Sequence, residues 1–240
     1  MSCLPGQKLL NLVEACIRDR KLFGFDDDIL IGISGGKDSL ALLDCLFRLG
    51  FSRLHSIHIK TEPESPTPFA SFCSERSDFT IINTDILQQI RSSNRNNSCY
   101  ICSRLRRRAL SDYAVSRNLP ILALGHHQND MIETFLLNLF FQRELSTMLP
   151  MQDLFAGKLK LVRPFYDIAE AEISRYATRL KLPVAHWNCG FEQDSRRSWI
   201  RQQLGIWQKE NPQIRLNANL SKAILNPNPE FLPPRISDNH

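Results

Sequence analysis

Short apolar runs alternate with longer segments of helical periodicity along the first 145 residues. The runs are rich in β-branched residues and short enough to be strands, and we predict four: residues 28–33, 53–59, 79–82 and 121–124. Apolar residues at helical spacing predict four helices before, between and after these strands: residues 8–20, 40–49, 100–117 and 128–141. This alternation is typical of an α/β fold with a mainly parallel sheet.

The strand pattern weakens after residue 145. Residues 169–180 and 194–208 are predicted helices, and the last thirty residues are rich in Asn and Pro. We therefore predict one α/β domain over residues 1–210, followed by an Asn/Pro-rich tail over residues 211–240. Partial disorder of this tail and its packing over the core are both left open.

Composition places the chain among ordinary soluble globular proteins. It is 42% hydrophobic and 23% charged, and no apolar run approaches the ~20 residues of a membrane span. The first ten residues contain no apolar signal core, so we expect a cytoplasmic protein without a membrane partner. The net charge of +5 is compatible with a nucleic-acid partner and does not establish one.

The chain contains seven cysteines. Because the number is odd and no export signal is visible, we do not expect a disulfide framework. Cys16 and Cys45 fall within apolar helical patterns and are interpreted as small core residues.

A candidate phosphate-binding loop separates the first predicted strand from the next helix. It comprises Ser34, Gly35, Gly36, Lys37, Asp38 and Ser39. Adjacent glycines let backbone amides turn inward, and the amides at a helix N-terminus attract an anion. Lys37 can reach a phosphate oxygen, and Asp38 suits a Mg²⁺ ion that carries pyrophosphate. The alternative is a tight turn with Asp38 as a helix cap, which the complete SGGKDS string after an apolar strand disfavours.

A second polar signature, Gly125-His126-His127, follows the fourth predicted strand. Ligands of parallel sheets bind beyond the carboxyl ends of the strands, so we expect it to share a pocket with the SGGKDS loop. Asp130 is expected to assist Mg²⁺ binding or proton handling. For the two histidines, packing beneath the loop is favoured over metal ligation.

Cys99 and Cys102 form a C-x-x-C pair in front of an arginine-rich helix, and Cys189 is a candidate third ligand. Structural zinc would need a fourth ligand, for which His126, His127 or His186 is available. Three thiolates can also hold an iron–sulfur cluster and leave one iron open. A redox pair or a coincidental C-x-x-C remains the alternative.

Basic and aromatic residues suggest a nucleic-acid surface without proving it. Seven arginines lie in two groups: Arg104, Arg106, Arg107 and Arg108, and later Arg196, Arg197 and Arg201. We favour ATP or RNA phosphate contacts for Arg106 and Arg107, and leave the later group open between phosphate contacts and a solvated face. Trp187 and Trp199 could stack on a base, but we favour core packing for both.

The SGGKDS string resembles the signature of the PP-loop ATP pyrophosphatases, which cleave ATP between its α and β phosphates. The combination with CYICSRLRR, GHHQND, RPF and NCG, in this order over residues 8–204, resembles the tRNA 2-thiocytidine synthetase (TtcA) family. The resemblance implies a PP-loop, adenine nucleotide alpha-hydrolase-like fold.

This resemblance further implies ATP-dependent thiolation of tRNA. ATP would adenylate the C2 oxygen of a cytidine, and sulfur would displace AMP. The implied cofactors are ATP, Mg²⁺ and a [4Fe–4S] cluster held by Cys99, Cys102 and Cys189. The expected catalytic residues are Lys37, Asp38 and Asp130, and ATP would contact the loop together with Gly125, His126, Arg106 and Arg107. The expected partners are tRNA and a sulfur donor such as a cysteine desulfurase, and a homodimer is left open.

Three departures from the family pattern leave other functions open. Asn129 stands where relatives usually have aspartate, residues 57–60 lack an acidic residue, and residues 61–77 are rich in Pro and Ser. A tRNA lysidine synthetase-like ligase would share the adenylation but has no use for three cysteines. A non-catalytic tRNA- or nucleotide-binding relative is the third alternative, and the intact loop opposes it.

Overall fold

The structure is a computed structural model that describes residues 6–61, 66–92, 98–185 and 196–226, without the side chain of Cys99. Over these residues the chain forms one six-stranded sheet with helices on both faces. The α/β fold with a mainly parallel sheet is therefore confirmed.

The sheet has the strand order β3-β2-β1-β4-β6-β5. The strands are β1 (Ile29–Gly32), β2 (Leu54–Lys60), β3 (Asp78–Asn83), β4 (Ile121–Ala123), β5 (Met151–Leu154) and β6 (Leu159–Val162). All neighbouring strands are parallel except β5, which pairs antiparallel with β6. The four predicted strands correspond to β1–β4.

Helices cover both faces of the sheet. They are α1 (Gln7–Asp19), α2 (Lys37–Arg48), α3 (Ala70–Ser74), α4 (Ile86–Ser92), α5 (Ser98–Ser116), α6 (Gln128–Phe141), α7 (Glu170–Arg179), α8 (Arg196–Glu210) and α9 (Leu216–Leu225). The six predicted helices correspond to α1, α2, α5, α6, α7 and α8, with ends that differ by a few residues.

Strand β1 shows why the sheet could be predicted from apolar runs. Ile29 and Ile31 point into the larger core, which also contains side chains of α1, α2, α6 and α7. Leu30 points into the second core, between the sheet and helices α4 and α5. All three side chains are fully buried, because a parallel strand covered on both faces has no polar side.

The β5–β6 hairpin was not predicted. Strand β5 is only partly buried, and its turn contains three residues with positive φ: Phe155 (52°), Ala156 (55°) and Gly157 (85°). Two of these are not glycine, so the sequence carries no ordinary hairpin signal at this position.

The tail is partly helical. Helix α9 packs against α6, and Gln128 Nε2 donates a hydrogen bond of 3.1 Å to Ser221 Oγ. The domain boundary after residue 210 stays a prediction. Within the described ranges, no helix is long and apolar enough to cross a membrane.

The predicted packing of Cys16 and Cys45 as core residues is confirmed. Both are free thiols with at most 5% of their surface exposed. Burial is the main cause that raises the pKa of Cys16 to about 12, and burial also raises the pKa of Cys45. These thiols therefore stay protonated and act as packing groups.

Candidate functional site

A cleft of about 290 Å³ opens beyond the carboxyl ends of β1, β2 and β4. Strand β1 has β2 as its neighbour on one side and β4 on the other, so the order of the strands reverses at β1. Parallel sheets bind ligands at such a point of reversal. Residues of the SGGKDS loop, Gly125, His126 and the middle of helix α5 line the cleft. The prediction that the two polar signatures share one pocket is therefore confirmed.

Hydrogen bonds from its own serine side chains fix the conformation of the SGGKDS loop. Gly35 has a φ of 83°, which favours glycine, and Gly36 is the N-cap of α2. Ser34 Oγ accepts the amide hydrogen of Gly36 at 3.2 Å, and Ser39 Oγ donates to the Gly36 carbonyl at 3.0 Å. The two serine hydroxyls thus shape the loop, while the N-terminus of α2 faces the cleft as an anion site.

Lys37 lies between two carboxylates. Its Nζ is 2.8 Å from Glu170 Oε1 and 3.0 Å from Asp38 Oδ1. Burial lowers the pKa of Lys37, but the hydrogen bond to Glu170 and the charge of Asp38 outweigh it, and the pKa is raised. Lys37 is therefore a permanent cation beside the phosphate loop.

Glu170 is a site residue that the sequence did not reveal. It opens α7 and lies 133 residues from Lys37 along the chain. Burial raises the pKa of Glu170, but Lys37 outweighs this through its hydrogen bond and charge, so the pKa is lowered. An acidic residue in the first turn of a helix is common for dipole reasons alone, so its position gave no signal of a site.

Gly125 lets the end of β4 approach α2 closely. A Cβ at this position would lie 3.0 Å from the carbonyl carbon and oxygen of Asp38 and 3.2 Å from Ser39 N. These are backbone atoms that cannot rotate away. Glycine is therefore needed for close packing against the phosphate loop, and not for an unusual φ.

Asp130 lines the cleft, and both of its oxygens have partners. Oδ2 accepts the amide hydrogen of His127 at 3.0 Å, and Oδ1 lies 3.2 Å from Arg197 Nη1. Burial raises the pKa of Asp130, but His127, His126 and Arg197 outweigh it and the pKa is lowered. Asp130 is thus an ionised carboxylate that also anchors the start of α6.

The two histidines occupy different positions. The His127 ring is buried, with Nε2 3.5 Å from Asp130 Oδ2 and 3.9 Å from Asp38 Oδ1. His126 borders the cleft, and its buried Nδ1 has no hydrogen-bond partner among the described residues. Burial is the main cause that lowers the pKa of His126 to about 4, so this ring is neutral at pH 7.

The floor and wall of the cleft are basic. Arg106 and Arg107 are exposed on α5 and line the cleft. Nearby, Arg163 is 5% exposed, and burial followed by the charge of Arg107 lowers its pKa to about 10. Arg163 therefore stays charged at neutral pH and adds positive potential to the site.

The C-x-x-C pair lies at the N-terminal end of α5, the helix whose middle residues line the cleft. Cys99 is the second residue of this helix and Cys102 is the fifth. Cys102 is partly buried, and the next residue, Ser103, lines the cleft. Cys189, like His186 and Trp187, lies outside the described residues. Among the described residues, no three His, Cys, Asp or Glu side chains are grouped as a metal site.

Cys189 belongs to residues 186–195, and the described residues before and after this range contact the site. Ala185 donates its amide hydrogen to the Gly35 carbonyl at 2.9 Å. On the other side, Arg197 contacts Asp130, and Arg201 pairs with the buried Glu133 at 2.8 Å. Two arginines of the later group, Arg197 and Arg201, therefore bind acidic residues of α6. Neither phosphate contacts nor a solvated face, the two alternatives from the sequence, included this role.

Comparison with known proteins gives one family match. A family described as a PP-loop domain matches residues 8–206. A protein of Alkalilimnicola ehrlichii named tRNA-cytidine(32) 2-sulfurtransferase is 32% identical over 238 residues, which cover 94% of this chain and 75% of the relative. A protein of the same name from Aromatoleum aromaticum is 32% identical over 219 residues, covering 86% and 69%.

Solved structures share the fold. The U34-tRNA thiolase NcsA from Methanococcus maripaludis, solved with its [4Fe-4S] cluster, superposes with a TM-score of 0.68 at 19% identity and covers 90% of this chain and 77% of that one. The NH3-dependent NAD synthetase from Campylobacter jejuni gives a TM-score of 0.53 at 16% identity, covering 92% of each. At these identities the similarity shows a common fold.

Proposed function

Since this chain belongs to the PP-loop domain family, and within it to the tRNA-cytidine 2-sulfurtransferases, we propose that it thiolates cytidine 32 of tRNA at the expense of ATP. The C2 oxygen of the base attacks the α phosphorus of ATP, and pyrophosphate leaves. Sulfur at the sulfide level then attacks C2 to form the carbon–sulfur bond, and the C2–O bond breaks as AMP leaves with the former C2 oxygen. The observation that carries the proposal is the cleft that joins the phosphate loop to α5, the helix whose N-terminal end carries Cys99 and Cys102.

The loop and Lys37 fit the triphosphate. The amides at the start of α2 offer positive charge on one side of the cleft, and the ammonium of Lys37 lies next to Asp38, which lines the cleft. Arg106 and Arg107 offer positive charge on the other side. Charge that develops on the departing pyrophosphate would be stabilised by these groups, which are already in place before ATP binds.

Asp38 is the best candidate to hold Mg²⁺. Its Oδ1 is buried and, although 3.0 Å from Lys37 Nζ, makes no hydrogen bond of acceptable geometry with the described residues. An under-satisfied carboxylate oxygen beside a phosphate site is the kind of ligand that Mg²⁺ takes. Asp130 lies across His127 from Asp38 and would assist through its charge.

The three cysteines would hold an iron–sulfur cluster at the rim of the cleft. The donor set fits, because thiolates are the usual ligands of such clusters, and exposed arginines on the same helix favour the thiolate form. When bound, the cluster supplies an iron that is free to hold the sulfur for transfer. The protein's part would be to carry Cys99 and Cys102 at the N-terminal end of α5, the helix that lines the cleft further along its length.

Two partners complete the proposal. The substrate is tRNA, as the names of the relatives state for those proteins. A cysteine desulfurase would supply the sulfur as a persulfide, and two electrons from a thiol reductant would bring it to the sulfide level. The reaction would take place in the cytoplasm. Sedimentation of the purified protein distinguishes a monomer from a homodimer.

Metal content and nucleoside analysis test this proposal together. Anaerobically purified protein should contain iron and sulfide, and should convert cytidine in tRNA to 2-thiocytidine, detected by mass spectrometry, with release of pyrophosphate. Lys37→Ala should abolish pyrophosphate release, and Cys189→Ala should lose iron but retain ATP binding. Cys16→Ala, which removes a buried core thiol that does not line the cleft, is the control. Zinc alone, or pyrophosphate release without any thiolation, would contradict thiolation and favour a cluster-free adenylating enzyme.

A further inference from the structure

Three aromatic side chains form an exposed cluster on α6 and α8, which we call the aromatic cluster: Phe140, Phe141 and Trp199. They are 48%, 37% and 46% exposed, respectively. The ring centroid of Trp199 lies 6.5 Å from that of Phe140 and 6.1 Å from that of Phe141, with the rings edge to face. The interpretation of Trp199 as a core residue is therefore wrong. Contiguous exposed aromatic surface of this kind marks a binding surface more often than scattered apolar residues do.

A positive charge accompanies the aromatic cluster. The guanidinium of Arg196 lies 4.7 Å from the centroid of the Phe141 ring. Arg197 and Arg201, on the same helix, are neutralised by Asp130 and Glu133. Arg196 is exposed, and within the described part of the chain no acidic side chain pairs with it.

The aromatic cluster and the cleft lie at opposite ends of α6. Asp130, in the first turn, lines the cleft, and Phe140 lies ten residues later. At about 1.5 Å per residue the two are separated by about 15 Å along the helix axis. Stacked nucleotides in one strand advance about 3.4 Å each, so the interval corresponds to about four nucleotides.

We propose that the aromatic cluster and Arg196 bind unpaired bases of the substrate RNA a few nucleotides from the base in the cleft. Exposed aromatic rings stack on bases of any sequence, and an arginine beside them pairs with the phosphate backbone. This inference rests on the proposed function, because it assumes that the base in the cleft belongs to an RNA strand.

The charge of Arg196 argues for RNA over a second copy of this chain. A two-fold interface centred on the aromatic cluster would bring the same patch of both copies together. Each Arg196 would then approach its symmetry mate, and like charges across an interface are unfavourable. A polyanion meets no such repulsion.

Binding of a labelled RNA hairpin with an unpaired loop, followed by fluorescence anisotropy, tests the proposal. Trp199→Ala should weaken binding roughly tenfold, equivalent to about 1.4 kcal/mol. Trp199→Phe should retain most of the affinity, because a ring remains. Arg196→Gln should also weaken binding, and it leaves the ring packing in place if Trp199→Ala proves unstable. Phe155→Asn is the matched control, since Phe155 is 51% exposed on the β5–β6 hairpin and Asn tolerates its positive φ.

The fully paired duplex of the same stem separates stacking from general charge, and its affinity should not change in Trp199→Ala. Unaltered hairpin affinity in both Trp199→Ala and Arg196→Gln would overturn the proposal. A change from dimer to monomer in sedimentation, with RNA affinity unchanged, would assign the surface to self-association instead. Because this assay measures binding alone, a wild-type protein that fails to thiolate tRNA would contradict the proposed function while the hairpin result still tests the aromatic cluster.

Discussion

At the scale of single residues, the contact between Lys37 and Glu170 defines the state of the phosphate site. The ammonium is held by one carboxylate from its own loop and by another from the start of α7. Both side chains of the Lys37–Glu170 pair are partly exposed, so we assign it on the order of 1 kcal/mol of stability or less. Its importance lies in the position that it gives to Lys37.

Glu170→Ala should therefore impair ATP use more than folding. We expect kcat/KM for ATP, measured by pyrophosphate release, to fall roughly tenfold because Lys37 loses its defined position. Glu172→Ala is the matched control, because Glu172 lies in the same first turn of α7 and pairs with Lys8 at 2.6 Å, outside the cleft. Equal kcat/KM values for ATP in Glu170→Ala and Glu172→Ala would show that the contact of Glu170 with Lys37 does not contribute to ATP cleavage.

His126 predicts a specific pH dependence of stability. Burial lowers its pKa from 6.5 to about 4, so between these values the unfolded chain binds a proton that the folded chain does not. The free energy of unfolding should accordingly decrease as the pH falls through this window, by at most about 1.4 kcal/mol per pH unit. Urea unfolding of ligand-free protein should show a weaker pH dependence in His126→Gln.

At the scale of secondary-structure elements, the site depends on how closely β4, α2 and α6 approach one another. Gly125 sets the distance between the end of β4 and the start of α2. Arg197 and Arg201 fix α8 against α6, with Glu133 almost completely buried in the contact. Because a buried carboxylate is costly without its partner, these ion pairs define the placement of α8.

Gly125→Ala and Gly205→Ala should change stability in opposite directions. The Cβ that Gly125→Ala introduces would press on the Asp38 backbone, so this variant should lose about 1 kcal/mol or more and bind ATP more weakly. Gly205 lies inside α8, and no described atom lies within 4 Å of the position that a Cβ would take there, so Gly205→Ala should gain about 0.5–1 kcal/mol. Thermal unfolding measures the stability of the two variants, and titration with ATP measures their affinity. Equal destabilisation of Gly125→Ala and Gly205→Ala would contradict the packing argument.

At the scale of the whole molecule, the sequence predicted what local patterns can encode. Strands β1–β4 and the shared cleft follow from apolar runs and from polar residues at strand ends. Glu170 could not be predicted, since its partner Lys37 lies 133 residues away and only the packing of α7 on α2 brings them together. The exposure of Trp199 was missed for a similar reason, because burial depends on which helices meet.

The distribution of charge predicts salt-dependent binding of tRNA. The net charge is +5, and Arg106 and Arg107 lie at the cleft where the RNA would enter. Replacing either arginine by Gln should reduce the slope of log affinity against log salt concentration by about 0.7 for each phosphate that it neutralises. Arg179→Gln, at the far end of α7, should keep the wild-type slope. Filter binding of tRNA over a salt series provides the measurement. If all variants have the wild-type slope, these arginines do not contact RNA phosphates.

The bracketing of Lys37 by Asp38 and Glu170 also has an entropic consequence. A free lysine side chain loses about 1.5–2 kcal/mol of rotamer freedom when it is fixed in one conformation. Here that ordering has already occurred in the folded protein, through contacts of 2.8 Å and 3.0 Å. This loss of rotamer freedom occurs during folding and not when ATP binds. The nucleotide therefore binds to a preorganised cation, and more of the interaction energy contributes to affinity.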